Sequence, residues 1–189
     1  LGCFKPRGVV QLVHGMAEHI ERYGDFARFL ASKGFIVGGY DHLAHGESVS
    51  QSTSWGELDP RNGANHLIED VHRMRSYMLA HTPAGLPYFV FGHSMGSYIM
   101  RDYIARHGDG LAGAILCGTG YVAPIVSKAG NMLSRAIAAI RGKGYESKLL
   151  DSMAAGGFNR VIDDPRTEAD WISANEENVD RYLALSLIH

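Results

Sequence analysis

Tyr88-Phe89-Val90-Phe91-Gly92-His93-Ser94-Met95-Gly96-Ser97 decides how the rest of the chain is read. Its first half is apolar and aromatic, the composition of a buried strand. Gly92-x-Ser94-x-Gly96 then makes a sharp turn, and Ser97 to Ile104 continue with helical spacing. Strand, Gly-x-Ser-x-Gly turn and helix together form a nucleophile elbow. The turn strains the serine backbone and demands near-absent side chains on both sides, which Gly92 and Gly96 supply. It lifts the Ser94 hydroxyl above the sheet and aims the free N–H groups of the helix N-terminus at developing negative charge. Ser94 is therefore the expected nucleophile. In a chain with 23 glycines the bare pattern is weak, so the flanking sequence has to carry it.

The first support lies upstream. Val9 to Val13 is a short apolar strand that runs into His14-Gly15-Met16-Ala17-Glu18-His19. A strand ending in His-Gly before a loop supplies one backbone N–H of an oxyanion hole. By position that donor is the amide of Met16, and its partner is the amide of Met95, the residue after the nucleophile. His14 is read as a residue that holds the loop and transfers no proton.

Further along, Arg22 to Lys33 has the spacing of an amphipathic helix, with Tyr23, Phe26, Phe29 and Leu30 as core residues and Gly34 at an αL cap. Phe35 to Tyr40 is a strand. Asp41-His42-Leu43-Ala44-His45-Gly46-Glu47-Ser48 is a polar loop whose donors match no zinc spacing, so no metal is expected. Residues 49 to 64 form a surface connection. Asn65 to His81 is a helix with Leu67, Val71, Met74 and Met78 on one stripe. The elbow helix ends near His107-Gly108, and Leu111 to Cys117 is a further strand. Short apolar strands alternating with helices predict an α/β fold with a mostly parallel sheet covered on both faces. After Gly120 the pattern changes. Residues 124 to 155 have helical spacing, Gly156-Gly157 breaks it, and a Ser173-x-x-Glu176 capping box opens a helix through Leu185. The expected division is a core over 1–120 and a helical cap or lid over 121–189.

Bulk properties limit the function. A length of 189 residues suits one domain, or one domain with an inserted subdomain. The 18 Lys and Arg against 20 Asp and Glu give a net charge of −2, which points away from nucleic acid. No apolar run reaches transmembrane length. Cys3 and Cys117 have no metal spacing, and Cys117 is read as a small core residue. A cytoplasmic setting, with no cofactor, is the resulting expectation.

At this point the match becomes specific. His14-Gly-Met-Ala-Glu-His19-x-x-Arg22-Tyr23, Asp41-His42-x-x-His45-Gly46-x-Ser48, Gly92-His93-Ser94-Met95-Gly96 and Arg166-Thr167-Glu168-x-Asp170-Trp171-Ile172-Ser173 resemble the monoacylglycerol lipase and lysophospholipase group of α/β-hydrolases (serine aminopeptidase S33-like). The resemblance implies the α/β-hydrolase fold with a helical cap, and a serine carboxylic ester hydrolase working through an acyl-enzyme on Ser94. It implies Met16 and Met95 as oxyanion donors, His93 and Arg22 at the polar end of the pocket, and a small acyl ester as substrate. A catalytically incomplete binding module and an S33-type aminopeptidase are the alternatives.

The departures from that pattern are as informative. In the group, the acid and the histidine of the triad follow the cap, on the last strands of the sheet. No segment here resembles either, so the triad Asp and His are not recognisable and the chain reads as shortened at both ends, without the C-terminal strands. The internal substitutes are Asp163, Asp164 or Asp170 with His189. A sheet without its last strands leaves an apolar edge, which predicts a homo-oligomer that covers it, or poor solubility.

Overall fold

The computed structural model describes residues 5–49, 54–142, 144–154 and 158–185. Its four strands are β1 (Gly8–Val13), β2 (Phe35–Gly39), β3 (Tyr88–His93) and β4 (Gly113–Cys117). They form one sheet in the order β2-β1-β3-β4, and every pairing is parallel. The helices between them are α1 (Gly24–Ser32), α2 (Gly63–Ala80) and α3 (Met95–His107). The chain thus runs outward from β1 to β2, then returns to β3 on the other side of β1. Such a reversal leaves a crevice at the carboxyl ends of the central strands.

The central strands β1 and β3 are covered on both faces, whereas Ala114 to Cys117 of β4 are exposed, so the expectation of a sheet covered throughout is corrected at that strand. All six residues of β1 are buried. Along β3 burial alternates, with Tyr88, Val90 and Gly92 buried and Phe89, Phe91 and His93 half-buried. One face packs on α2 and α3, where Val9, Val13, Leu67, Ile68, Val71, Met78, Tyr88, Val90, Ile99, Met100 and Tyr103 make a single core. The other face meets α1, where Phe26 lies 5.1 Å from Phe91, centroid to centroid. This alternation puts His93 on the α1 side of the sheet. The buried Gln11 side chain is satisfied: its Nε2 donates to the Val71 carbonyl at 3.1 Å, and Tyr88 Oη donates to its Oε1 at 2.7 Å. Arg75, on α2, donates to the carbonyls of His107 and Asp109 at 2.8 and 2.7 Å and so caps the end of α3.

The expected helix over Arg22 to Lys33 begins with a 3-10 turn, Ile20–Tyr23, before α1. Gly34 takes the positive φ that its αL cap position requires, +91°. Two expectations of burial are corrected. Phe29 is 55% exposed, with Lys33 Nζ 5.4 Å from its ring centroid, because it points off the sheet while Phe26 points onto it. Cys117 is exposed, because β4 is the outermost strand of the described sheet.

By internal contacts the chain divides into a unit over residues 1–119 and one over 120–186. The second is helical: α4 (Pro124–Arg141), α5 (Lys148–Ala154), two 3-10 turns and α6 (Glu176–Leu185). The helical stretch expected over 124–155 is broken at Gly142, where φ is +92°, and the Gly156-Gly157 break lies outside the described residues. The cap of α6 is also corrected. Glu177 N–H donates to Asn175 Oδ1 at 2.9 Å, and Asn175 N–H to Ser173 Oγ at 3.1 Å. Asn175 is the N-cap, and Ser173 supports the turn before it. Among the described residues no helix is long and apolar enough to cross a membrane.

Candidate active site

The elbow takes its shape from close backbone approaches. Ser94 sits between β3 and α3 at φ 50° and ψ −121°, a region non-glycine residues rarely occupy. Its N–H donates to the Cys117 carbonyl at 2.9 Å, and its carbonyl accepts from Ser97 N–H at 2.8 Å and Ser97 Oγ at 2.6 Å. These bonds hold the strained residue from both neighbours in the sheet and the helix. The glycines are required by space. A Cβ at Gly92 would lie 2.6 Å from the Gly96 carbonyl oxygen, and one at Gly96 only 2.2 Å from the Val13 carbonyl oxygen. The first turn of α3 is thereby pressed onto the end of β1.

That contact brings the upstream loop to the serine. A Cβ at Gly15 would lie 3.1 Å from Ser94 Cβ, so the His14-Gly15-Met16 segment borders Ser94. Among the described residues neither the Met16 amide nor the Met95 amide has an acceptor. Both stand at the ends of segments that meet at Ser94.

The loop is held by buried polar groups. His14 is fully buried; its Nδ1 donates to the Gly15 carbonyl at 2.8 Å, and its Nε2 accepts from His42 N–H at 2.9 Å. His42 Nε2 returns a hydrogen bond to the His14 carbonyl at 3.1 Å. Burial pushes the His14 imidazole below its usual value and takes His42 down to about 3. Both rings are neutral structural groups, as the sequence reading of His14 expected. Asp41 ties the same loop down, accepting from Ile20 N–H at 2.7 Å and Glu47 N–H at 2.9 Å. Among the described residues no group of three or more His, Cys, Asp or Glu is placed to hold a metal ion.

Glu18 is the residue that sequence reasoning passed over. Its buried carboxylate accepts from the Gly15 amide, from Arg22, from Tyr23 Oη at 2.7 Å and, at 3.4 Å, from His93 Nδ1. Burial alone would raise its pKa. The bonds from His93, Tyr23 and Gly15, with the Arg22 charge, outweigh burial and hold it at about 2. Arg22 and His93, both expected at the polar end of a pocket, are thus brought together around Glu18. With Tyr23 they line a cavity of about 180 Å³. The available signal was the i, i+4 spacing of Glu18 and Arg22 in the loop after His14.

Among the described residues no imidazole is hydrogen-bonded to the Ser94 hydroxyl. Asp170 accepts from the Arg166 and Thr167 amides at 2.6 and 3.1 Å and so serves its own turn. His189 lies outside the described residues.

A parallel sheet, a strained serine between β3 and α3, and a His-Gly loop against it define a class, the α/β-hydrolases. The sequence profile of the family described as "Serine aminopeptidase, S33" matches residues 4–189, and the chain belongs to that family. Among its relatives, a monoacylglycerol lipase of Mycolicibacterium smegmatis is 31% identical over 184 residues, which cover 97% of this chain and 57% of the relative. The human monoglyceride lipase is 30% identical over 117 residues, 59% of this chain and 34% of that protein. In structure the chain is similar to a thermostable carboxyl esterase from Bacillus coagulans, crystallised with glycerol. The TM-score is 0.83 at 39% identity, over 95% of this chain and 57% of the esterase. The chain spans little more than half the length of these full-length relatives.

Proposed function

We propose that the chain carries the nucleophile and oxyanion machinery of a serine carboxylic ester hydrolase. Ser94 Oγ attacks the carbonyl carbon of an acyl ester, and its proton passes to a base. The carbonyl oxygen becomes an oxyanion that accepts from the Met16 and Met95 amides. Collapse of the tetrahedral intermediate expels the alcohol, which takes up the proton, and leaves an acyl-serine that water then hydrolyses. The Arg22 and His93 side chains, set around Glu18, bind the polar alcohol portion. The names of the relatives, monoacylglycerol lipase and carboxyl esterase, favour monoglycerides and related small acyl esters. With this reading goes a cap role for residues 121–189, argued from their place directly after β4 and from the apolar side chains that α4 exposes, Ile125, Val126 and Ile140.

The observation that carries the proposal is the backbone of Ser94, held at φ 50° between two glycines that tolerate no Cβ, with Gly15 against it. A fluorophosphonate probe tests it. Labelling at Ser94, lost in Ser94→Ala, is the expected result, and an unlabelled wild-type chain overturns the reading. Among chromogenic substrates, p-nitrophenyl esters of increasing acyl length should be preferred to peptide amides. The reverse preference would point to an aminopeptidase.

A further inference from the structure

Gly15 C=O and Met16 N–H belong to one peptide unit, and in a trans peptide they point in opposite directions. Whatever fixes the carbonyl therefore aims the amide. The carbonyl is fixed by His14 Nδ1 at 2.8 Å, and the polarity of that bond follows from its neighbour. The His42 backbone N–H can only donate, and it donates to His14 Nε2 at 2.9 Å. Nε2 is thus the unprotonated nitrogen, and Nδ1 of the neutral ring carries the hydrogen given to Gly15. On its other side Gly15 gives its own N–H to Glu18 Oε1. A Cβ at Gly15 would be 2.7 Å from that oxygen, so only glycine lets the carboxylate come this close. His14 is fully buried and Glu18 is 6% exposed.

We propose that His14 and Glu18 are positioning residues that clamp Gly15 from its two sides, one by a buried neutral imidazole and one by a buried carboxylate, and so aim the Met16 N–H at the substrate oxyanion. The inference rests on the ester hydrolase reading above and assigns the loop's geometry to these two side chains. The donation from His14 also polarises the Gly15–Met16 peptide and makes its N–H a stronger donor. The tautomer is essential to the device. A proton added at Nε2 would face the His42 N–H, donor against donor, and the clamp would open. Burial and the facing His45 ring oppose that proton, and the Gly15 carbonyl, Glu18 and Asp41 favour it; the His42 ring lies 4.1 Å from His14, centroid to centroid.

Two measurements on the full chain test the clamp. Long-range proton–nitrogen correlation NMR should find His14 neutral with the hydrogen on Nδ1, at pH 7 and still at pH 6. The Nε2–H tautomer, or a charged ring at pH 6, overturns the proposal. The second uses position-specific replacements. His14→Asn keeps a donor where Nδ1 stood, whereas His14→Gln reaches only the Nε2 position. Fluorophosphonate labelling of Ser94 should stay within about threefold of wild type in the Asn variant and fall about 100-fold in the Gln variant, the loss that follows removal of one oxyanion donor. Equal rates in the two variants overturn the clamp. If either variant loses its native circular dichroism, Glu18→Gln and Glu18→Ala give the same contrast, since only Gln still accepts from Gly15. A wild-type chain that never labels defeats the ester hydrolase reading, and the tautomer measurement then upholds or overturns the clamp by itself.

Discussion

At the scale of single residues, the site depends on charges and tautomers set by burial. Glu18, His14 and His42 all have depressed pKa values in the folded chain, and the sign of the consequence is the same for each. A neutral buried histidine takes up its proton only on unfolding. Its stabilisation is therefore complete above its ordinary value of 6.5 and declines as pH falls, for His42 down to about 3. The Glu18 carboxylate contributes fully above its ordinary value of 4.5, and that contribution fades towards about 2. Melting temperatures measured from pH 7 down to pH 3 should fall continuously, with no acid optimum. Glu18→Gln should flatten the curve below about pH 4.5 and leave the fall between pH 6.5 and 4.5 in place. A melting temperature independent of pH over that upper range would contradict the buried neutral histidines. Ser94 was legible at this scale, because the elbow needs only residues close in sequence. Glu18 was not, because its value comes from His93, 75 residues away in the chain, and from a backbone amide that no side-chain pattern reveals.

At the scale of elements, the junction of β1, β3 and α3 places Ser94, and its tolerance is set by backbone rather than by side chains. Gly96 and Gly38 make a fair comparison. A Cβ at Gly96 meets the Val13 and His14 carbonyl oxygens at 2.2 and 2.5 Å, neither of which can move without shifting β1. A Cβ at Gly38 meets Met78 Cε at 2.7 Å, the far end of a flexible side chain that can turn aside. Gly96→Ala should destabilise by about 3 kcal/mol or more, the upper range for overpacking, and abolish probe labelling of Ser94. Gly38→Ala should cost about 1 kcal/mol or less and leave labelling intact. Urea denaturation of the two variants beside wild type checks the order. Apolar period alone anticipated these elements, as the Leu67, Val71 and Met78 stripe of α2 shows. It failed where a terminus is decided by hydrogen bonding, so that Asn175 caps α6 in place of Ser173.

At the scale of the whole molecule, the sheet of the described residues has β4 at one edge, where Ile115 and Leu116 are 53% and 36% exposed. Its outer backbone groups have no strand partner among the described residues. An apolar open edge of this kind favours pairing with another chain. Light scattering at micromolar concentration should show self-association that Ile115→Lys weakens, since a charge at an edge opposes strand addition. A clean monomer for the wild-type chain would refute the expectation.

By itself the sequence determined the parallel α/β order, the elbow with Ser94 at its turn, and the neighbouring His-Gly loop. Each of these follows from local spacing, from strand-length apolar runs and from glycines that only a tight turn demands. Only the tertiary structure decided which nitrogen of His14 holds its proton, that Glu18 reaches Gly15, Arg22, Tyr23 and His93 together, and that Phe29 and Cys117 face outward. Those outcomes depend on hydrogen bonds and packing between segments far apart in the chain. A backbone amide such as that of His42 has the same appearance in every sequence, whatever ring it comes to meet.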